Sequence, residues 1–214
     1  MRSSIFTALL LTFISLNTYS QKKDIIPVIK GSYEMGLQIC YDSTTSEISG
    51  SLSFDNADEG PGRVRISCDL FFTGHHLASD PLNDYSIESR YPDDTTGETS
   101  SSGIIRIKKQ EVFIQIKEPF SCQNLIDLRQ GWSFNLVKRT DFIACRTIKA
   151  AKAFFYTQPN DSSQQKAYLI NGDVVFIRGI KDGWLNVAYI NKKGTRNGWM
   201  KAALARPTAP PAKR

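Results

Sequence analysis

Histidine is nearly missing from this chain: only two occur among 214 residues, side by side in "FFTGHHL". Neighbours on a strand point to opposite faces, so His75 and His76 cannot easily chelate one ion together, and a hydrolytic triad has at most one of them to use. One His with Asp69 or Asp80 is still a ligand short of a zinc site. There is no GxSxG, no HExxH and no glycine loop built to cradle phosphate. Carboxylates gather in "DNADE" and "YPDDTTGE", the composition of solvated polar loops rather than of a glycosidase pair. These absences point away from an enzyme, and neither a metal nor a cofactor is expected.

Long apolar runs are also scarce. The one clear run, Ile5 to Leu16, follows Met1 and Arg2 and precedes "NTYS", with Thr18 and Ser20 at small-residue cleavage positions. That pattern predicts a secretory signal peptide over 1–20, too short and too weakly flanked for a membrane span. No Cys follows the run, which disfavours a lipid anchor, and no transmembrane segment is expected after cleavage. Outside the cytosol, disulfides persist. Cys40, Cys68, Cys122 and Cys145 are even in number and contain no CxxC, so two disulfides are expected, with three connectivities open.

Charge is uneven along the chain. Residues 21–145 hold 13 Lys and Arg against 18 Asp and Glu, whereas residues 146–214 hold 13 against 3. The sign changes where the cysteines end, which suggests an acidic domain over 21–145 and a basic one over 146–206, with a Pro-rich disordered tail at 207–214. A basic surface on an exported protein meets lipopolysaccharide, acidic wall polymer, an acidic partner or its own acidic neighbour domain; nucleic acid is not expected there.

Helical periodicity longer than two turns is absent from 21–145, and the dominant period is two. "RVRISCDLFF" places Val64, Ile66, Cys68, Leu70 and Phe72 on one face; "SLSF" adds Leu52 and Phe54. "GIIRIKKQEVFIQIK" reads as a hairpin with Ile105, Ile107, Val112, Ile114 and Ile116 inward, and "GWSFNLV" offers Trp132, Phe134 and Leu136. The expected fold class is therefore all-β, with an N-terminal antiparallel β-sandwich or small barrel. "YPDDTTGETSSSG" is predicted to be a surface loop.

The second half is made of short strands, "KAAKAFFY", "KAYLI", "VVFIRGIK", "WLNVAYI" and "GWMKAAL", separated by turn compositions such as "NGD" and "KDG". Within it, Tyr156 and Pro159 closing an aromatic strand, "KAYLINGD", "DGWLNV" and "GWM" before "KAAL" come in an order that resembles a bacterial SH3-like (SH3b) domain over residues 148–205. The resemblance implies a C-terminal barrel of five or six strands, a bacterial origin, a periplasmic or secreted location, and binding to peptidoglycan or to peptides. "SGSLSF", "GRVRISCDLFFTGHH" and the paired cysteines resemble small periplasmic β-domains, some of which inhibit lysozyme-type enzymes or neutralise toxins.

Within "WLNVAYI", Leu185, Val187 and Tyr189 share one face while Trp184, Asn186 and Ala188 share the other. Trp184 follows the Asp182–Gly183 turn at the strand's mouth, where it can cover the barrel or line a groove. Tyr156, Trp184, Tyr189 and Trp199 are the candidate ligand-binding residues, since aromatic bodies with polar tips serve both packing and recognition. The expected function is non-enzymatic binding of peptidoglycan or an envelope protein or peptide. An inhibitor or immunity protein acting on a lysozyme-like or toxin enzyme is the alternative, and a wall hydrolase a minor one.

Overall fold

A computed structural model of the protein describes residues 28, 30–55, 67–77, 84–92, 94, 99–119, 122, 125–191 and 193–206. The expected signal peptide, the tail at 207–214, Val64, Ile66, Asp80 and most of "DNADE" lie outside these. The described chain is all-β. Eight strands come first: β1 (Gly31–Tyr33), β2 (Gln38–Asp42), β3 (Glu47–Asp55), β4 (Ser67–His76), β5 (Asp84–Arg90), β6 (Ser101–Lys108), β7 (Glu111–Ile116) and β8 (Trp132–Arg139). Each pairs antiparallel with the next, and β1 pairs with β8, which closes a barrel. The sandwich-or-barrel alternative thus resolves to a barrel.

Eight strands enclose an interior just wide enough for side chains to fill. Here Leu37, Ile39, Leu52, Leu70, Phe72 and Phe134 fill it together with the hairpin residues Ile105, Ile107, Val112, Ile114 and Ile116. The period-two reading selects Leu52, Leu70, Phe72, Phe134 and the hairpin residues correctly because side chains alternate across a pleated strand, and it does not reach Leu37 or Ile39. It misplaces Trp132, which is 44% exposed. Trp132 begins β8, where it pairs with Ile114 of β7 while β1 reaches β8 only from Leu136 onward, so parity with Phe134 does not bring burial. Ser101–Gly103, expected in a loop, belong to β6, and His75 and His76 end β4.

Six further strands form a second antiparallel sheet: β9 (Ala144–Thr147), β10 (Ala153–Tyr156), β11 (Gln164–Leu169), β12 (Val174–Lys181), β13 (Trp184–Asn191) and β14 (Gly194–Lys201), in the order β11-β10-β14-β13-β12-β9. The chain after β14 returns to β9 through an Ile148–Ala205 bridge, with Arg206 N–H donating to Thr147 O at 2.8 Å. One face buries Ile148, Phe155, Val175, Leu185, Val187 and Met200. The barrel ends at Arg139 and the second sheet begins at Ala144, so Cys145 sits in the second sheet.

Sheet and barrel meet through a separate apolar cluster of Cys40 and Phe71 from one side and Phe142, Cys145, Phe176 and Ala188 from the other. Phe142 and Phe176 stack with centroids 5.2 Å apart. At its edge the Arg206 guanidinium donates to the backbone carbonyls of Pro92 and Asp94 at 3.3 and 3.0 Å.

Candidate functional site

Asp182 and Gly183 both have positive φ, 47° and 81°, the pairing that a two-residue hairpin turn of type I′ requires. The turn returns β12 into β13 so that Lys181 faces Trp184 directly. On its other side Trp184 faces Lys201 of β14. Directly paired residues share a face of a sheet, and Lys181, Trp184 and Lys201 therefore form a cross-strand row. The next row runs from Tyr156 on β10 to Trp199, Asn186 and Gly179.

These two rows bring together three of the four candidate aromatics on the outward face of the sheet. Tyr156 is the floor, 5% exposed, meeting Trp184 edge to face at 4.8 Å and donating its hydroxyl to Gln164 Oε1 at 3.2 Å. Trp184 and Trp199 are half-buried. Lys201 Nζ stands 5.6 Å above the Trp184 ring and 2.6 Å from Asp161 Oδ1, and this hydrogen bond raises the lysine pKa above its ordinary value. Beside Asn186, a side chain built on Gly179 would meet nothing within 4 Å, so the row ends in open space. Arg178, at the bulge in β12, donates to Asn197 Oδ1 at 2.6 Å and to Asp141 Oδ1 at 3.2 Å along its border.

Tyr189 lies elsewhere. It shares the inward parity of Leu185 and Val187, packs against the core of the second sheet and donates its hydroxyl to Asp173 Oδ1 at 3.1 Å. Burial, followed by the nearby Asp173 carboxylate, raises its pKa. It borders a cleft of about 1050 Å³ between sheet and barrel, lined also by Gln38, Ser53, Asp69, Tyr91 and Asn171.

Sequence reasoning placed Asn186 on the face of Trp184 without giving it a role, and did not find Lys181, Lys201 or Gly179. Their signal is cross-strand register, which composition and period do not carry. His76 packs its ring against Tyr85 at 5.4 Å, and His75 is exposed. Among the described residues, no group of three His, Cys, Asp or Glu is placed to hold a metal ion. No described helix is long and apolar enough to cross a membrane.

Of the four cysteines, Cys68 on β4 and Cys122 form a disulfide inside the barrel, with Cα atoms 4.5 Å apart. Cys40 and Cys145 are buried free thiols, so one of the two expected bridges is present. The remaining pair is divided between the barrel wall and the second sheet.

No family model, curated protein or solved structure matches the chain.

Proposed function

We propose that this protein is an exported bacterial envelope protein that binds peptidoglycan through the outward face of its second sheet and carries out no chemistry on it. The observation that carries the reading is the convergence of Tyr156, Trp184 and Trp199 with Lys181, Lys201 and Asn186 on that face. Indole faces offer broad apolar area to the C–H faces of sugar rings, and their fixed shape loses little entropy on binding. The Asn186 amide supplies a donor and an acceptor for hydroxyl or acetamido groups. Lysine ammonium groups on the rim pair with the carboxylates of stem peptides.

The resemblance of residues 148–205 to SH3b domains, the 13 to 3 excess of cations after residue 146 and the Cys68–Cys122 bridge are consistent with a basic binding module outside the cytosol. The test is retention on purified peptidoglycan, comparing the wild type with Trp184→Ala and Trp199→Ala. Retention of the wild type and loss in both variants is expected. No retention of any form removes peptidoglycan as the ligand; equal retention of all three moves the binding surface off this face.

A further inference from the structure

Cys40 and Cys145 are 105 residues apart in sequence and belong to different sheets, yet both are completely buried in one apolar cluster. Cys40 stands on β2 directly opposite Ser49 of β3. The Cys145 backbone N–H donates to Ser49 Oγ at 3.0 Å, which seats β9 beside that same pair. A second tie runs next to it, from Tyr41 N–H to Phe142 O at 3.4 Å. Cys40 is the neighbour that, after burial, raises the Cys145 thiol pKa, while Ser51 acts in the opposite sense. Phe71, Phe142 and Phe176 enclose the two thiols. Among the described residues no group of three His, Cys, Asp or Glu that could hold a metal includes them, and apart from Ser49 and Ser51 their company is apolar.

We propose that Cys40 and Cys145 are a disulfide-forming pair whose bridge fastens the second sheet covalently to the barrel. The oxidant is a disulfide donor, either glutathione disulfide or a thiol–disulfide exchange protein. One thiolate attacks the donor's S–S bond and releases one donor thiol. The second cysteine then attacks the mixed disulfide and releases the other. Two protons leave the cysteines, two electrons reduce the donor to two thiols, and a single Sγ–Sγ bond forms.

Burial, together with the neighbouring Cys40, raises the Cys145 thiol pKa well above its ordinary value, so the docked Cys145 thiol is protonated and slow to react. Oxidation therefore belongs to folding or to a transient separation of sheet and barrel. Once made, the bridge is shielded from reductant by the same aromatic side chains. It encloses the Cys68–Cys122 bridge in sequence, so the two are nested. The connectivity that four cysteines leave open from sequence is resolved as 40–145 with 68–122.

The test refolds the mature chain with glutathione disulfide, quenches with iodoacetamide in denaturant and maps the peptides by mass spectrometry. Linked Cys40–Cys145 and Cys68–Cys122 peptides, with no alkylated cysteine, are expected. Alkylated Cys40 and Cys145 beside an intact Cys68–Cys122 bridge would overturn the proposal, as would Cys40 joined to either barrel cysteine. A second measurement places a specific protease site between Thr140 and Asp141. After cleavage, the two fragments should stay together in denaturant without reductant and separate with it, and a Cys145→Ser version should separate in both. Separation of the oxidised parent without reductant contradicts the bridge.

Discussion

Tyr156 and Trp184 meet edge to face at 4.8 Å, with their ring planes 78° apart, and so join β10 to the mouth of β13 across the strand that lies between them. Tyr156 is nearly enclosed, while Trp184 keeps part of its surface for solvent. Trp184→Ala is accordingly expected to destabilise the protein by about 1–2 kcal/mol, below the ~3–5 kcal/mol for truncating a fully buried aromatic such as Phe155. Urea melts of both variants, set beside the peptidoglycan assay, separate lost binding from lost fold.

Asp84 and Arg106 face each other across β5 and β6, and their contact has two arms: Nε to Oδ1 at 2.8 Å and Nη2 to Oδ2 at 2.6 Å. The aspartate side chain is 4% exposed and the arginine 37%. Arg106→Met leaves a buried carboxylate without its two-armed partner, and about 2–3 kcal/mol of stability should go, less than for a pair enclosed on both sides. The double variant Asp84→Leu/Arg106→Met should recover much of it. A double variant as unstable as Arg106→Met alone contradicts this account.

Gly50 on β3 lies between Ile39 and Phe72 in register. A methyl group there would run into the Gln38 carbonyl and the Phe72 ring. The backbone oxygen cannot yield without breaking the wall, so Gly50→Ala is expected to cost about 1–3 kcal/mol through overpacking. Gly50→Ala combined with Phe72→Leu should relieve only the side-chain part, and thermal unfolding of the two variants measures the division.

Burial pushes the Tyr33 hydroxyl from 10.0 up to about 12, against a smaller opposing pull from Arg139. Between those pH values the folded protein keeps a proton that the unfolded chain has released. Tyr33's contribution is thus complete below pH 10 and is lost as the pH climbs through 12. The urea midpoint should fall across that window, and Tyr33→Phe should flatten the fall. It should not abolish it, because burial raises Tyr85 as well. An unchanged slope in Tyr33→Phe would show that Tyr33 ionises equally in both states.

How much could be read in advance varied from residue to residue. Ile105, Ile107, Val112, Ile114 and Ile116 were legible because a strand's two-residue period assigns each side chain to a face without reference to any other strand. The Asp182–Gly183 turn was legible for an equally local reason, since few residues adopt positive φ twice in succession. Trp184 could be assigned a face by parity, and Tyr156 and Trp199 named as its company. Lys181 and Lys201 reach it through register with the two strands that flank β13, which no local pattern encodes.

Sequence by itself determined the all-β class, the face of most core residues, the hairpin turn and the division of charge, all properties set within a few neighbouring residues or by composition. Tertiary structure alone decided that eight strands close into a barrel, that Lys181 and Lys201 flank Trp184, and that Cys40 and Cys145 share one buried cluster. Each depends on which strands pair and in what register. Register is settled by the summed burial of both faces across the whole sheet.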